Sequence, residues 1–141
     1  MKATDLAKYI INTSPSELSN LMLQKTMYFV ELDYYKQTGK HLIDDDFEAW
    51  QYGPVVPSVY EEYCRYGSRY IEDVDMLDKP DMSQVDTRII EETLDRCSDK
   101  RSWELVEESH RRDGAWRKTR NRGSMTIEKS LIAEEAKKYG K

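Results

Sequence analysis

Ser19-Asn20-Leu21-Met22-Leu23-Gln24-Lys25-Thr26-Met27-Tyr28-Phe29-Val30-Glu31-Leu32-Asp33-Tyr34-Tyr35 is the stretch on which the fold turns. Leu23, Met27, Val30 and Tyr34 recur at helical spacing, and Tyr28, Leu32 and Tyr35 make a second stripe beside them. Two adjoining stripes form a wider apolar arc than a surface helix carries, so the pattern predicts a helix buried on more than one side. Ser19 or Asn20 supplies the N-cap oxygen, and Gly39 the left-handed residue that stops the helix.

The same periodicity predicts other helices outward from this one. Ala3, Leu6, Ala7 and Ile10 mark a short helix over 4–12 that ends at Asn12-Thr13-Ser14-Pro15. Pro57 sits well in the first turn of a helix carrying Val56, Val59, Tyr60, Tyr63 and Cys64, which stops at Gly67. Ser83 opens another, with Asp86 as a capping-box variant and Val85, Ile89, Ile90, Leu94 and Cys97 on its apolar side. Trp103, Leu105, Val106 and His110 make the next, and Asp113-Gly114 is a turn signal. Thr126 caps a last helix, about 126–139, with Ile127, Leu131, Ile132, Ala136 and Tyr139. The period breaks only over 41–52, where Phe47-Glu48-Ala49-Trp50 alternates as a short extended segment does, before Tyr52-Gly53-Pro54-Val55-Val56-Pro57. The expected fold is mainly α: a compact single-domain bundle, residues 1–141, of about six helices with a short irregular or β element near 41–52.

With 141 residues, the chain is long enough for one core without staples. Two cysteines exclude a disulfide-rich scaffold and suit a reducing cytoplasm. No apolar run approaches the roughly 18 residues of a membrane helix, and no secretory signal is visible. Charged residues make up 35%, above the average of about 25%, but an 11% aromatic content, two-thirds of it tyrosine, argues against disorder. The formal net charge of −5 is unevenly spread. Residues 1–99 hold ten Lys and Arg against twenty Asp and Glu, whereas residues 100–141 hold twelve against seven. The acidic stretch 72–86 reads as a surface loop.

Catalytic chemistry finds no support. Nucleotide-binding glycine loops, zinc-protease and nucleophile-elbow motifs are absent from the sequence. Cys64 and Cys97 fall on apolar helix faces and read as core, with His41 and His110 as the only imidazole bases. Those four residues match a zinc ligand count but contain no close ligand pair, and Asp44-Asp45-Asp46 lacks the glycine and terminal acid of a calcium loop. No catalytic residue, cofactor or metal is expected.

The basic stretch 111–122 surrounds one tryptophan. Arg111, Arg112, Trp116, Arg117, Lys118 and Arg120 are therefore candidate partner-binding residues, since tryptophan and arginine anchor protein interfaces. Two other readings stand beside this one: a solvated face after a helix C-terminus, and docking on the chain's own acidic loop 72–86. Negative net charge argues against nucleic acid as the partner.

Three blocks occur in order: Leu23-Gln24-Lys25-Thr26-Met27-Tyr28-Phe29, then Phe47-Glu48-Ala49-Trp50-Gln51-Tyr52-Gly53-Pro54-Val55-Val56-Pro57-Ser58-Val59-Tyr60, then Ser109-His110-Arg111-Arg112-Asp113-Gly114-Ala115-Trp116. This order resembles the Panacea domain, the SocA-like antitoxin family also found in phage-associated GepA-type proteins, over roughly residues 5–120. Thr26 stands where that family tends to be apolar, and Ala115 where proline is common. The resemblance implies an antitoxin that neutralises a cognate toxin by direct protein contact. One branch of the family implies an alternative, a phage or prophage adaptor that delivers a toxin or host protein to a ClpXP-type protease. It also implies that Leu23, Gln24, Lys25, Trp50, Tyr52, Gly53, Pro54, Val55, Pro57, Tyr60 and His110 are family-motif positions, expected to build core and a rigid turn.

Overall fold

The computed structural model describes residues 1–72 and 79–141. Among these the chain forms seven α-helices and three short strands: α1 (Ala3–Thr13), α2 (Asn20–Thr38), β1 (Phe47–Trp50), β2 (Gly53–Val55), α3 (Pro57–Tyr63), α4 (Thr87–Ser98), α5 (Ser102–Ser109), α6 (Ala115–Asn121), β3 (Thr126–Ile127) and α7 (Lys129–Tyr139). A single 3₁₀ turn, Cys64–Tyr66, follows α3. The mainly helical expectation holds.

Helix α2 is the axis of the molecule. Ser19 Oγ accepts from Met22 N at 3.2 Å, and Gly39 closes the far end at φ 74° with its N–H on Tyr35 O. Every residue from Leu23 to Tyr34 is buried, with α1, α3, α4, α5 and α7 packed around it. An axial helix has no solvent side for its polar residues, so each must find a partner inside. Glu31 accepts from the Leu42 and Ile43 amides and from His41 Nδ1. Asp33 accepts from the Thr93 hydroxyl at 2.6 Å and pairs with Arg96. Gln24 and Lys25 reach across to the β2 region, described below.

The three strands form one antiparallel sheet in the order β2-β1-β3. Trp50 faces Gly53, Glu48 faces Val55, and Phe47 faces Ile127. Phe47 and Ala49 point into the core, while Glu48 and Trp50 lie half-buried on the other face, as the period of two requires. Asp45, from the acidic triplet, accepts from Ala3 N at 2.7 Å and so gives an acceptor to one of the N–H groups left open at the start of α1.

Several elements depart from the sequence expectation. Helix α6 was not anticipated: its seven residues are too few to display a period. Helix α4 starts at Thr87, capped by Asp86 on Arg88 N, while Ser83 lies in a turn and donates its amide to Asp81. Thr126 and Ile127 are strand residues, because β1 offers them an open edge, and α7 begins only at Lys129. Cys64 is exposed at the 3₁₀ turn, whereas Cys97 is buried as expected. Trp103 is exposed, because α5 buries Leu105 and Ser109 instead. Of the acidic stretch 72–86, residues 73–78 lie outside the described residues.

Candidate functional site

The β1–β2 turn, Trp50-Gln51-Tyr52-Gly53, is held from below by two layers of side chains. From α2, Lys25 Nζ donates to Pro54 O at 2.8 Å and Gln24 Oε1 accepts from Val56 N at 2.9 Å. Gln24 Nε2 in turn donates to Asn20 Oδ1, and Asn20 Nδ2 donates to Tyr60 O at 3.2 Å. The first motif block is therefore stitched to the second at Pro54 O and Val56 N, with Asn20 extending the chain of bonds to Tyr60 O. Gly53 adopts φ 113°, and a Cβ there would stand 2.6 Å from Ser109 Oγ and 2.8 Å from Lys25 Cε. Only glycine fits both the angle and the space.

The second layer comes from the third motif block. Trp116 Nε1 donates to Trp50 O at 2.7 Å. His110 stacks flat on Trp116, with ring centroids 3.7 Å apart and planes within 4°. Arg117 and Arg120 cover the Trp116 ring at 5.1 and 5.6 Å. Arg120 Nη1 also donates to Ala49 O, and Arg117 Nη2 to His110 O, both at 3.1 Å. Behind this layer Glu135, fully buried on α7, accepts from Tyr28 Oη at 2.7 Å and Ala115 N at 2.8 Å, with Arg111 Nε 3.0 Å away. Glu135 thereby fixes the start of α6 and hence the position of Trp116.

Burial and charge reshape two titrations here. Burial pushes the Lys25 amine down to about 7. His110 is also held below the usual imidazole value, first by burial and then by the positive charges of Arg117, Lys25 and Arg120. Cys97, by contrast, is driven up to about 11 by burial, as an inert core thiol would be.

Above the turn lies a cleft of about 480 Å³ with mostly apolar walls. Trp50 and Tyr60 form its aromatic side, in edge-to-face contact at 5.0 Å, and Trp50 Nε1 is tied to Glu48 at 2.9 Å. Tyr52 is 61% exposed, Tyr60 40% and Leu21 37%. Solvent-facing aromatics of this kind, with an apolar body and a polar tip, are the residue types enriched in protein interfaces. No group of histidine, cysteine and carboxylate residues able to hold a metal occurs among the described residues.

The motif residues divide between the two sides of this turn. Leu23, Gln24, Lys25, Gly53, Pro54 and Val55 are buried and His110 lies beneath the turn, while Pro57 opens α3. Trp50, Tyr52 and Tyr60 form the more exposed part of the cleft lining, to which buried Gln24, Lys25 and Val55 also contribute, and Trp50 is half-buried where core was expected. The six candidate partner residues also divide. Arg111 turns inward to Glu135, Trp116 is 5% exposed, and Lys118 pairs with Glu134 at 3.3 Å. Arg112 and Arg120 are exposed and Arg117 is half-buried. Leu21 was missed from sequence, since it lies in the same helix as the core stripe and only the packing turns it outward.

Comparison with known proteins gives two findings. Residues 23–117 match the family described as Antitoxin SocA-like, Panacea domain, a span running from the Gln24-Lys25 layer to Arg117. A stretch of 54 residues is 43% identical to Antitoxin SocA of Caulobacter vibrioides (strain NA1000 / CB15N), covering 38% of this chain and 29% of that protein's length. No solved structure matches the chain.

Proposed function

Since this chain belongs to the SocA-like antitoxin family of Panacea domains, we propose that it is an antitoxin module that neutralises a cognate toxin by direct protein–protein binding. The observation that carries this reading is the Trp50–Gly53 turn, clamped by Lys25 and Trp116, closed by the left-handed Gly53, and flanked by exposed Tyr52, Tyr60 and Leu21. Exposed aromatics lose little entropy on binding when their backbone is already fixed, which is the condition for an interface hot spot. Arg117 and Arg120 flank that turn from α6 and extend the contact surface with positive charge. The charge speeds encounter and selects the partner, while the aromatic residues set the lifetime of the complex. Nothing in this mode of action requires a catalytic group, and the chain acts by occupying the toxin.

The test is co-expression with the product of the adjacent open reading frame, first scored for toxicity on its own, reading growth and co-purification. Wild type should restore growth and co-purify, and Tyr52→Ser with Tyr60→Ser should lose both while melting as wild type does. Unrelieved toxicity with the wild-type chain would overturn the antitoxin role. Full protection by the double variant would overturn the choice of surface.

A further inference from the structure

Three cations gather under and beside the Trp50–Gly53 turn, and each ends on a backbone carbonyl. Lys25 bonds Pro54 O, Arg120 bonds Ala49 O and Arg117 bonds His110 O. Among the described residues, none of the three has a carboxylate within ion-pair distance. Their neighbours in the same basic stretch behave differently, since Arg111 meets Glu135 and Lys118 meets Glu134. A carbonyl oxygen carries only a partial charge, so the full charges of Arg117 and Arg120, together with the fraction that Lys25 keeps with its pKa near 7, remain uncompensated at one place. Their convergence is visible at His110, whose charged form all three disfavour. One carboxylate stands nearby, Glu48, and it is engaged by the Trp50 indole N–H. The cleft alongside is apolar and large enough for one bulky side chain.

Resting on the antitoxin reading above, we propose that the segment received at this face is acidic: a partner loop or terminus whose large apolar side chain enters the cleft between Trp50, Tyr60 and Leu21, and whose flanking carboxylates meet Arg117 and Arg120. The apolar side chain supplies contact area, and the carboxylates complete the charge that the fold leaves open. Lys25 belongs to the lining of the cleft, and the share of it that stays charged adds positive potential there. The chain as a whole is negative, so a long polyanion such as nucleic acid meets net repulsion, whereas a short acidic segment can engage this face alone.

The probe is a short labelled peptide with a central phenylalanine flanked by aspartates, compared with its asparagine counterpart and with a single-stranded DNA oligonucleotide. Fluorescence anisotropy should give the aspartate peptide an advantage of about tenfold or more over the asparagine peptide at low salt, shrinking as salt rises. Arg117→Gln with Arg120→Gln should abolish that advantage and leave the weak binding of the asparagine peptide in place. Equal affinities, no saturable binding, or tighter binding of the oligonucleotide would overturn the proposal, as would an advantage that survives in a normally melting double variant. Should the double variant not fold, the wild-type salt series decides, because a salt-independent advantage is not ionic. The antitoxin role is scored separately by growth rescue. Protection without any aspartate preference sinks this proposal alone, and aspartate preference without protection sinks the antitoxin role alone.

Discussion

The Lys25 ammonium donates to the Pro54 carbonyl at 2.8 Å, joining the middle of the central helix to a turn 29 positions further along the chain. The side chain is fully buried and has only this neutral acceptor, so its charge is costly and its pKa falls to about 7. That cost has a measurable signature.

An unfolded lysine titrates near 10.4, well above the folded value. Between the two values the unfolded chain holds more protons, so stability rises with pH across that window. Cys97 works in the opposite direction above its ordinary range of about 8.5, because its thiol is held protonated in the fold. Urea midpoints should therefore climb from about pH 7 to 8.5 in wild type and lose most of that climb in Lys25→Met. An identical climb in the variant would show that another group carries it.

Trp116 and Trp50 should separate sharply. Trp116 is core, bonded to Trp50 O and stacked on His110, so Trp116→Ala should cost about 3–5 kcal/mol. Trp50 is half-buried at the rim of the cleft, so Trp50→Ala should cost far less stability and should instead weaken partner binding. Denaturant unfolding of the two variants beside each other checks this, and equal losses would place Trp50 in the core after all.

Gly53→Ala confronts both a left-handed φ and a Cβ site only 2.6 Å from Ser109 Oγ. A strained backbone position costs about 1–3 kcal/mol, and the overlap adds to it. The variant should lose stability and also displace Tyr52, so partner affinity should fall further than in a destabilised variant remote from the turn. Gly123→Ala, with φ 69° and open space around its Cβ, is the control that isolates the backbone contribution.

Glu135→Ala removes the acceptor of Tyr28 Oη and Ala115 N and leaves Arg111 without its carboxylate. Breaking a buried charge pair by deleting one partner costs about 3–5 kcal/mol. The loss should be read as a lower thermal midpoint together with greater solvent access to Trp116 fluorescence, since α6 loses its anchor. Unchanged Trp116 emission would mean that α6 is held by packing alone.

What the amino-acid sequence determined by itself is the axial helix and its consequences. The double stripe from Leu23 to Tyr35, the Ser19 cap and the Gly39 stop are local facts, encoded in helical period and in the backbone freedom of one residue. The order of the three motif blocks was equally legible, and it identified the family before any packing was known. The interruption near 41–52 was readable too, because alternation at Phe47–Trp50 is itself a local pattern.

The tertiary structure alone decided which motif residues face inward. Trp50 and Trp116 are the same residue type, each directly after an alanine, yet only Trp116 is core, because α6 packs against β1 and directs its indole N–H to the Trp50 carbonyl. Thr126 and Ile127 are β-branched, but two residues make no strand by themselves, and only the open edge of β1, 78 or more positions earlier in the chain, turns that propensity into a paired strand. Lys25 and Gln24 looked like polar interruptions of an apolar helix. Only the approach of the β1–β2 turn reveals them as the side chains that hold it, because hydrogen bonds across tens of residues leave no period in the sequence.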